Sequence, residues 1–237
     1  MLENIFPCLK KPDITKEPER PAPEEALPKY EVPNIIDLPI DVQTQGKYQT
    51  KSGWARGLVV HYTAGRSLQG RSNAESALKH LAQSGLGCLV MDKDGVIYKA
   101  RNQALNQVAW HAGQSAWKGE TGVSRFCMGM EICNAGLLDK NLKSWFGETY
   151  PLEATREIKQ KKDNHLVGHW LKFTPAQESS LINFCLWQLD TNPEFQLDWI
   201  VGHDEVCVPQ LRKVDPGGSL SMTMPEFRAH LEKLHRG

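Results

Sequence analysis

The sequence predicts one α/β domain, a mixed β-sheet flanked by helices, preceded by an extended proline-rich N-terminal arm. Three observations carry this expectation. From about residue 50 onward, short apolar runs alternate with longer segments of helical period. Two of those runs are joined by Asp94-Gly95, a dipeptide suited to a tight hairpin. Eight of the 14 prolines fall within the first 39 residues, too many for helix or for a paired strand.

Along the chain, residues 1–48 form the arm and residues 49–237 the domain. The arm either folds onto the domain through Ile35, Ile36 and Leu38 or stays loose. Strands are expected at 57–63, 87–92, 95–100, 126–133 and 197–202, where β-branched and apolar residues cluster between turn signals. Helices are expected at 73–84, 175–190 and 224–235. The middle one has Thr174 as its cap, Pro175 in its first turn and Glu178 close by. Residues 137–172 are polar and irregular and read as a long surface loop.

Composition narrows the function classes. Lys+Arg and Asp+Glu both number 28, so the net charge is zero and the basic stripe of a nucleic-acid binder is missing. No apolar run approaches the roughly 20 residues of a membrane span. Asn4, Pro7 and Lys10 interrupt any signal-peptide core, so synthesis in the cytoplasm without an export signal is expected. The six cysteines contain no C-x-x-C pair and are expected as free thiols.

Three stretches carry chemistry. In "GLVVHYTAGR" Leu58, Val60 and Tyr62 alternate with Val59, His61 and Thr63, which puts His61 on one face of a strand. On this stretch alone a core histidine bonded to backbone is the commoner explanation. In "WIVGHDEVCVPQLRKVDPGG" His203 follows a strand end and Asp215 precedes Pro-Gly. Taken singly these are turn formers, but with His61 they supply two imidazoles and a carboxylate. Three protein ligands and one open position suit a catalytic zinc. Cys207 is the rival third ligand. In "RFCMGMEICNAG" Glu131 shares a strand face with Cys127, Gly129 and Cys133, opposite Met128, Met130 and Ile132. Such a carboxylate is either ion-paired or a general base beside a metal. The i, i+4 pair His165 and His169 lacks the glutamate of a zinc-protease helix, and Gly168 disfavours helix there. His80 is expected to be solvated.

The blocks "VVHYTAG", "DKDGVIYKA", "AWHAGQSAW", "MGMEICNAG", "VGHDEV" and "RKVDPGG", in that order, resemble the zinc-dependent N-acetylmuramoyl-L-alanine amidases. This is the type-2 amidase family, which includes peptidoglycan recognition proteins and phage endolysins. The resemblance spans about residues 55–220. It implies one zinc per chain, held in a surface groove by His61, His203 and Asp215. It further implies Glu131 and Lys213 as catalytic helpers and His111 lining the substrate groove. Tyr62 and Trp110 would stack on sugar or peptide, or simply pack. "CVPQL" and "SGLGCLV" depart from the family pattern, so one loop and one groove wall are expected to differ.

The implied reaction is hydrolysis of the amide between N-acetylmuramic acid and L-alanine of peptidoglycan, by a monomer. "GMEICNAG" and "SAW.G" are most similar to the phage branch, which implies wall lysis after holin release. Injection-type delivery and a cytosolic recycling role are the alternatives, with the arm as a docking or delivery element. A non-catalytic wall binder and a thiol hydrolase using Cys127 or Cys133 are the rival classes.

Overall fold

The computed structural model describes residues 30–42, 55–66, 71–105 and 109–237. Its centre is strand β2 (Gly57–Tyr62), in which Gly57 through His61 are all buried. A strand apolar on both faces belongs inside a parallel sheet covered on both sides. Parallel β7 (Cys127–Ile132) and parallel β11 (Ile200–Gly202) flank it. Beyond β7 lie β3 (Leu89–Met91), β4 (Ile97–Ala100) and β1 (Ile35–Leu38), giving the order β1-β4-β3-β7-β2-β11. Only β3 and β4 are antiparallel, joined through the expected turn. Gly95 has φ +81°, and a Cβ there would lie 2.7 Å from the Ala176 carbonyl oxygen.

Helices cover the two faces. Leu58, Val60, Met128, Met130 and Ile132 pack against helix α2 (Pro175–Thr191) and helix α4 (Met224–Arg236) through Leu181, Phe184, Phe227 and Leu231. Helix α1 (Arg71–Gln83) lies on the opposite face, with Ala74 and Leu78 against Val90, Tyr98 and Cys133. The mixed sheet flanked by helices is thus the fold that the alternating runs predict. α2 starts at Thr174 as expected, but its capping box closes through Gln177. Glu178 instead accepts from the Ser221 backbone and hydroxyl. Short helix α3 (His203–Val206) follows β11 directly.

Three features differ from the expectation. Residues 137–172 are not a plain loop: β8 (Leu137–Leu138), β9 (Thr155–Ile158) and β10 (Gly168–Leu171) form an antiparallel sheet in the order β8-β10-β9. That sheet buries Leu138, Trp170 and Leu171. Another small pair, β5 (Ala116–Trp117) and β6 (Glu120–Thr121), precedes β7. Third, the proline-rich stretch does contain a paired strand: of the two alternatives for the arm, its described part takes the one that folds onto the domain, β1 running parallel to β4 with Leu38 fully buried. The expected arm–domain boundary at residue 48 lies outside the described residues, as do Cys8 and residues 1–29. Among the described residues, no helix is long and apolar enough to cross a membrane.

Candidate metal centre and active site

Register builds the site. His61 on β2 pairs in register with Glu131 on β7, so both side chains leave the same face of the sheet. On the other side of β2, Gly202 pairs with Val60, and His203 follows at the first turn of α3. Asp215 arrives from the loop after α3. Its carbonyl accepts from the Asp204 N–H, while the Asp204 carboxylate accepts from Gly217 N–H and from Asn164. The adjoining Gly217 and Gly218 lie flat against the buried indole of Trp170, where a Cβ would come within 2.4 and 2.6 Å of the ring.

His61, His203 and Asp215 meet, and all three are buried. His61 Nδ1 lies 2.9 Å from His203 Nδ1, and each lies 3.0 Å from Asp215 Oδ2. Ligands about 2.0–2.1 Å from a tetrahedral zinc stand about 3.3 Å apart, within a few tenths of these distances. The chemistry of the donors fits as well. His203 Nε2–H donates to the Ala112 carbonyl at 3.1 Å. In the neutral ring that leaves a bare Nδ1 facing a carboxylate oxygen, two lone pairs in a buried space. A cation between them turns repulsion into coordination. Burial, with His203 beside it, lowers the His61 pKa to about 4. Burial raises Asp215, but its contacts with His203 and His61 outweigh this and hold the carboxyl below the usual range.

Cys207 is not part of this cluster among the described residues. Its Sγ points at the carbonyls of Asp204 and Lys213, at 3.7 and 3.8 Å. The pair His165 and His169 is not on a helix: His165 Nε2 engages the Met222 carbonyl, and His169 lies in β10.

Glu131 is half-buried beside the cluster, and its Oε2 has no hydrogen-bond partner. Burial, then Asp215, raises its pKa well above the ordinary value, while Lys213 opposes the shift. Glu131 opens into a cavity of about 720 Å³ shared with Thr63, Asn73, His80, Trp145 and Phe146. Lys213 is exposed and lines a smaller cavity of about 300 Å³ with Asp204 and Trp117. His111 stands behind His61, its Nδ1 3.0 Å from His61 Nε2. Tyr62 lies on the other face of β2, its ring against Gly136, and Trp110 is 43% exposed. Burial pushes the Cys133 thiol up to about 12, and Cys127 rises for the same reason, which disfavours both as nucleophiles.

Sequence reasoning missed Trp145 and Phe146. They are 75% and 42% exposed, their ring centroids lie 4.1 Å apart, and Trp145 Nε1–H donates to the Ala64 carbonyl. Adjacent aromatics inside a polar stretch were the available signal.

A family model described as N-acetylmuramoyl-L-alanine amidase matches residues 51–218. Among solved structures, a selenomethionine derivative of AmpD superposes with TM-score 0.53 at 18% identity, covering 84% of this chain and 95% of that one. The amidase AmiD from E. coli, in complex with anhydro-N-acetylmuramic acid-L-Ala-D-γ-Glu-L-Lys, superposes with TM-score 0.50 at 22% identity. That match covers 78% of this chain and 60% of AmiD. At such identities the likeness establishes the fold. No curated protein matches the chain by sequence.

Proposed function

The chain belongs to the N-acetylmuramoyl-L-alanine amidase family, and from that premise we propose that it hydrolyses the amide joining N-acetylmuramic acid to L-alanine in peptidoglycan, using one zinc held by His61, His203 and Asp215. The observation that carries this reading is the in-register pair His61 and Glu131, which sets an unpartnered carboxylate oxygen beside three converging metal donors. A zinc held by His61, His203 and Asp215 would supply a Lewis acid able to acidify water and polarise the carbonyl at neutral pH. Glu131 takes the proton of the attacking water and returns it to the leaving amine. Its unpartnered Oε2 is free to hold that proton between the two transfers. Lys213 places an ammonium near the carbonyl oxygen as negative charge develops there.

The cavity in front of Glu131 receives substrate, with the exposed Trp110 and the neighbouring Tyr62 as candidate stacking contacts. The enzyme acts as a monomer in cell-wall lysis, in keeping with the phage-like "GMEICNAG" block. The residues ahead of β1 serve as a docking or delivery arm, and the catalytic domain takes in β1 (Ile35–Leu38) as a strand of its main sheet. Mass analysis of the soluble products from purified sacculi tests the reading. Stem peptides with a free L-alanine amino terminus and intact glycan strands are expected, and chelation should abolish their release. Wall binding without peptide release would favour a binding protein of the same fold. Inhibition by a thiol alkylator and not by a chelator would favour cysteine chemistry.

A further inference from the structure

We infer that the dipeptide His111–Ala112, moored by Ser124, is the positioning element that sets the tautomer and ring angle of both metal histidines. The inference rests on the metal reading above.

His111 Nε2 lies 3.0 Å from the Cys127 carbonyl oxygen, which can only accept, so His111 carries its proton on Nε2. Its Nδ1 is then an acceptor, and it faces His61 Nε2 at 3.0 Å. His61 therefore carries its proton on Nε2 and presents a bare Nδ1. The next residue does the same for the other ligand, because the Ala112 carbonyl accepts from His203 Nε2–H at 3.1 Å. Two neighbouring residues thus leave both Nδ1 atoms free, 2.9 Å apart and beside Asp215 Oδ2.

The dipeptide is itself held. One oxygen, Ser124 Oγ, accepts from the backbone N–H of His111 at 3.2 Å and of Ala112 at 2.8 Å. Ser124 is buried in a one-turn helix (Val123–Arg125) just ahead of β7, the strand whose first residue offers the Cys127 carbonyl. An independent feature agrees. A Cβ on Gly129 would lie 2.7 Å from His111 Cγ and 2.9 Å from its Nδ1, so the imidazole occupies the space a side chain at 129 would fill. Gly129 lies on the same strand face as Glu131, which aligns the His111 ring with His61 and the carboxylate. With both ring nitrogens engaged, His111 has no donor or acceptor left for substrate.

The test is the zinc dissociation constant of the full-length protein by chelator competition, measured alongside KM and kcat at saturating zinc. His111→Phe and Ser124→Ala are each expected to weaken zinc binding about 10–100-fold, the usual cost of losing a ligand's orienting partner, with KM unchanged. His111→Gln, whose amide can accept from His61 and donate to Cys127, should recover most of the affinity. If His111→Phe fails to fold, Ser124→Ala decides, because it loosens the dipeptide without touching any imidazole. Wild-type affinity in Ser124→Ala and His111→Phe, with a raised KM in the latter, would overturn the inference and return His111 to the substrate groove. A wild type that binds no zinc would overturn the metal reading together with this one.

Discussion

The metal donors reach one point from two kinds of structure. His61 comes from the middle of a buried sheet, with parallel neighbours on both sides. Asp215 comes from a loop without a ladder of its own. What the ladder does for His61, side-chain packing must do for Asp215. The Asp204 carboxylate ties down Gly217, Asn164 ties down Asp204, and the Trp170 indole forms the floor under Gly217 and Gly218. A site assembled this way should fail differently on its two sides. Damage on the sheet side removes chemistry and leaves the fold standing, whereas damage on the loop side loosens the site through its support.

The largest expected effect lies on the sheet side. Glu131→Gln fits the same space but cannot accept a proton, so kcat should fall by at least about 10²-fold. Zinc content and sacculus binding should stay normal. Folded stability of the metal-free protein at neutral pH should hold or rise, because without the cation the native environment favours the uncharged carboxyl. Retention of more than roughly a tenth of wild-type kcat would remove Glu131 from the mechanism.

On the loop side, Trp170→Ala should cost about 3–5 kcal/mol by denaturant unfolding, the usual range for a buried tryptophan. It should also weaken zinc binding, although the indole touches no metal donor. Unchanged zinc affinity in the folded variant would mean that the loop keeps its shape without this floor.

Acid gives a comparable effect centred on His61. Its pKa falls from 6.5 in the unfolded chain to about 4 in the fold. Between those values the unfolded chain binds a proton that the native state refuses. Stability of the metal-free protein should therefore drop as pH falls from 6.5 toward 4, by up to about 3 kcal/mol. His61→Gln should flatten that part of the profile, and a slope equal to wild type would show that another group causes it.

The smallest effect is expected at Asp204. Burial raises its pKa well above the ordinary value, and its Oδ1 has no partner. Asp204→Asn keeps an acceptor for Gly217 and should change the melting temperature little, or raise it, at neutral pH. A loss above about 2 kcal/mol would mean that Asp204 serves as an anion.

The two sides were also unequally legible in the sequence. The alternation of Leu58, Val60 and Tyr62, and of Met128, Met130 and Ile132, leaves a polar residue at His61 and Glu131 where apolar ones would pack. Strong periodicity makes such exceptions visible. The sheet of β8, β9 and β10 offered no such signal, because its strands are two to four residues long and β8 pairs with β10 across about thirty residues. Trp170 therefore could not be seen as a support for Asp215. β1 was hidden for a related reason, since its four residues stand within a proline-rich stretch and their partner β4 lies about sixty residues on. The role of His111 was hidden as well, because the "WHAG" block does not reveal which atoms its ring meets.

The most direct measurement is the zinc content of wild type, Asp215→Ala and Cys207→Ser after dialysis against the same metal-free buffer. Wild type and Cys207→Ser should hold about one zinc per chain, and Asp215→Ala, once shown to be folded, close to none. Full occupancy in Asp215→Ala together with loss in Cys207→Ser would contradict the His61, His203 and Asp215 site and give the third position to the thiol.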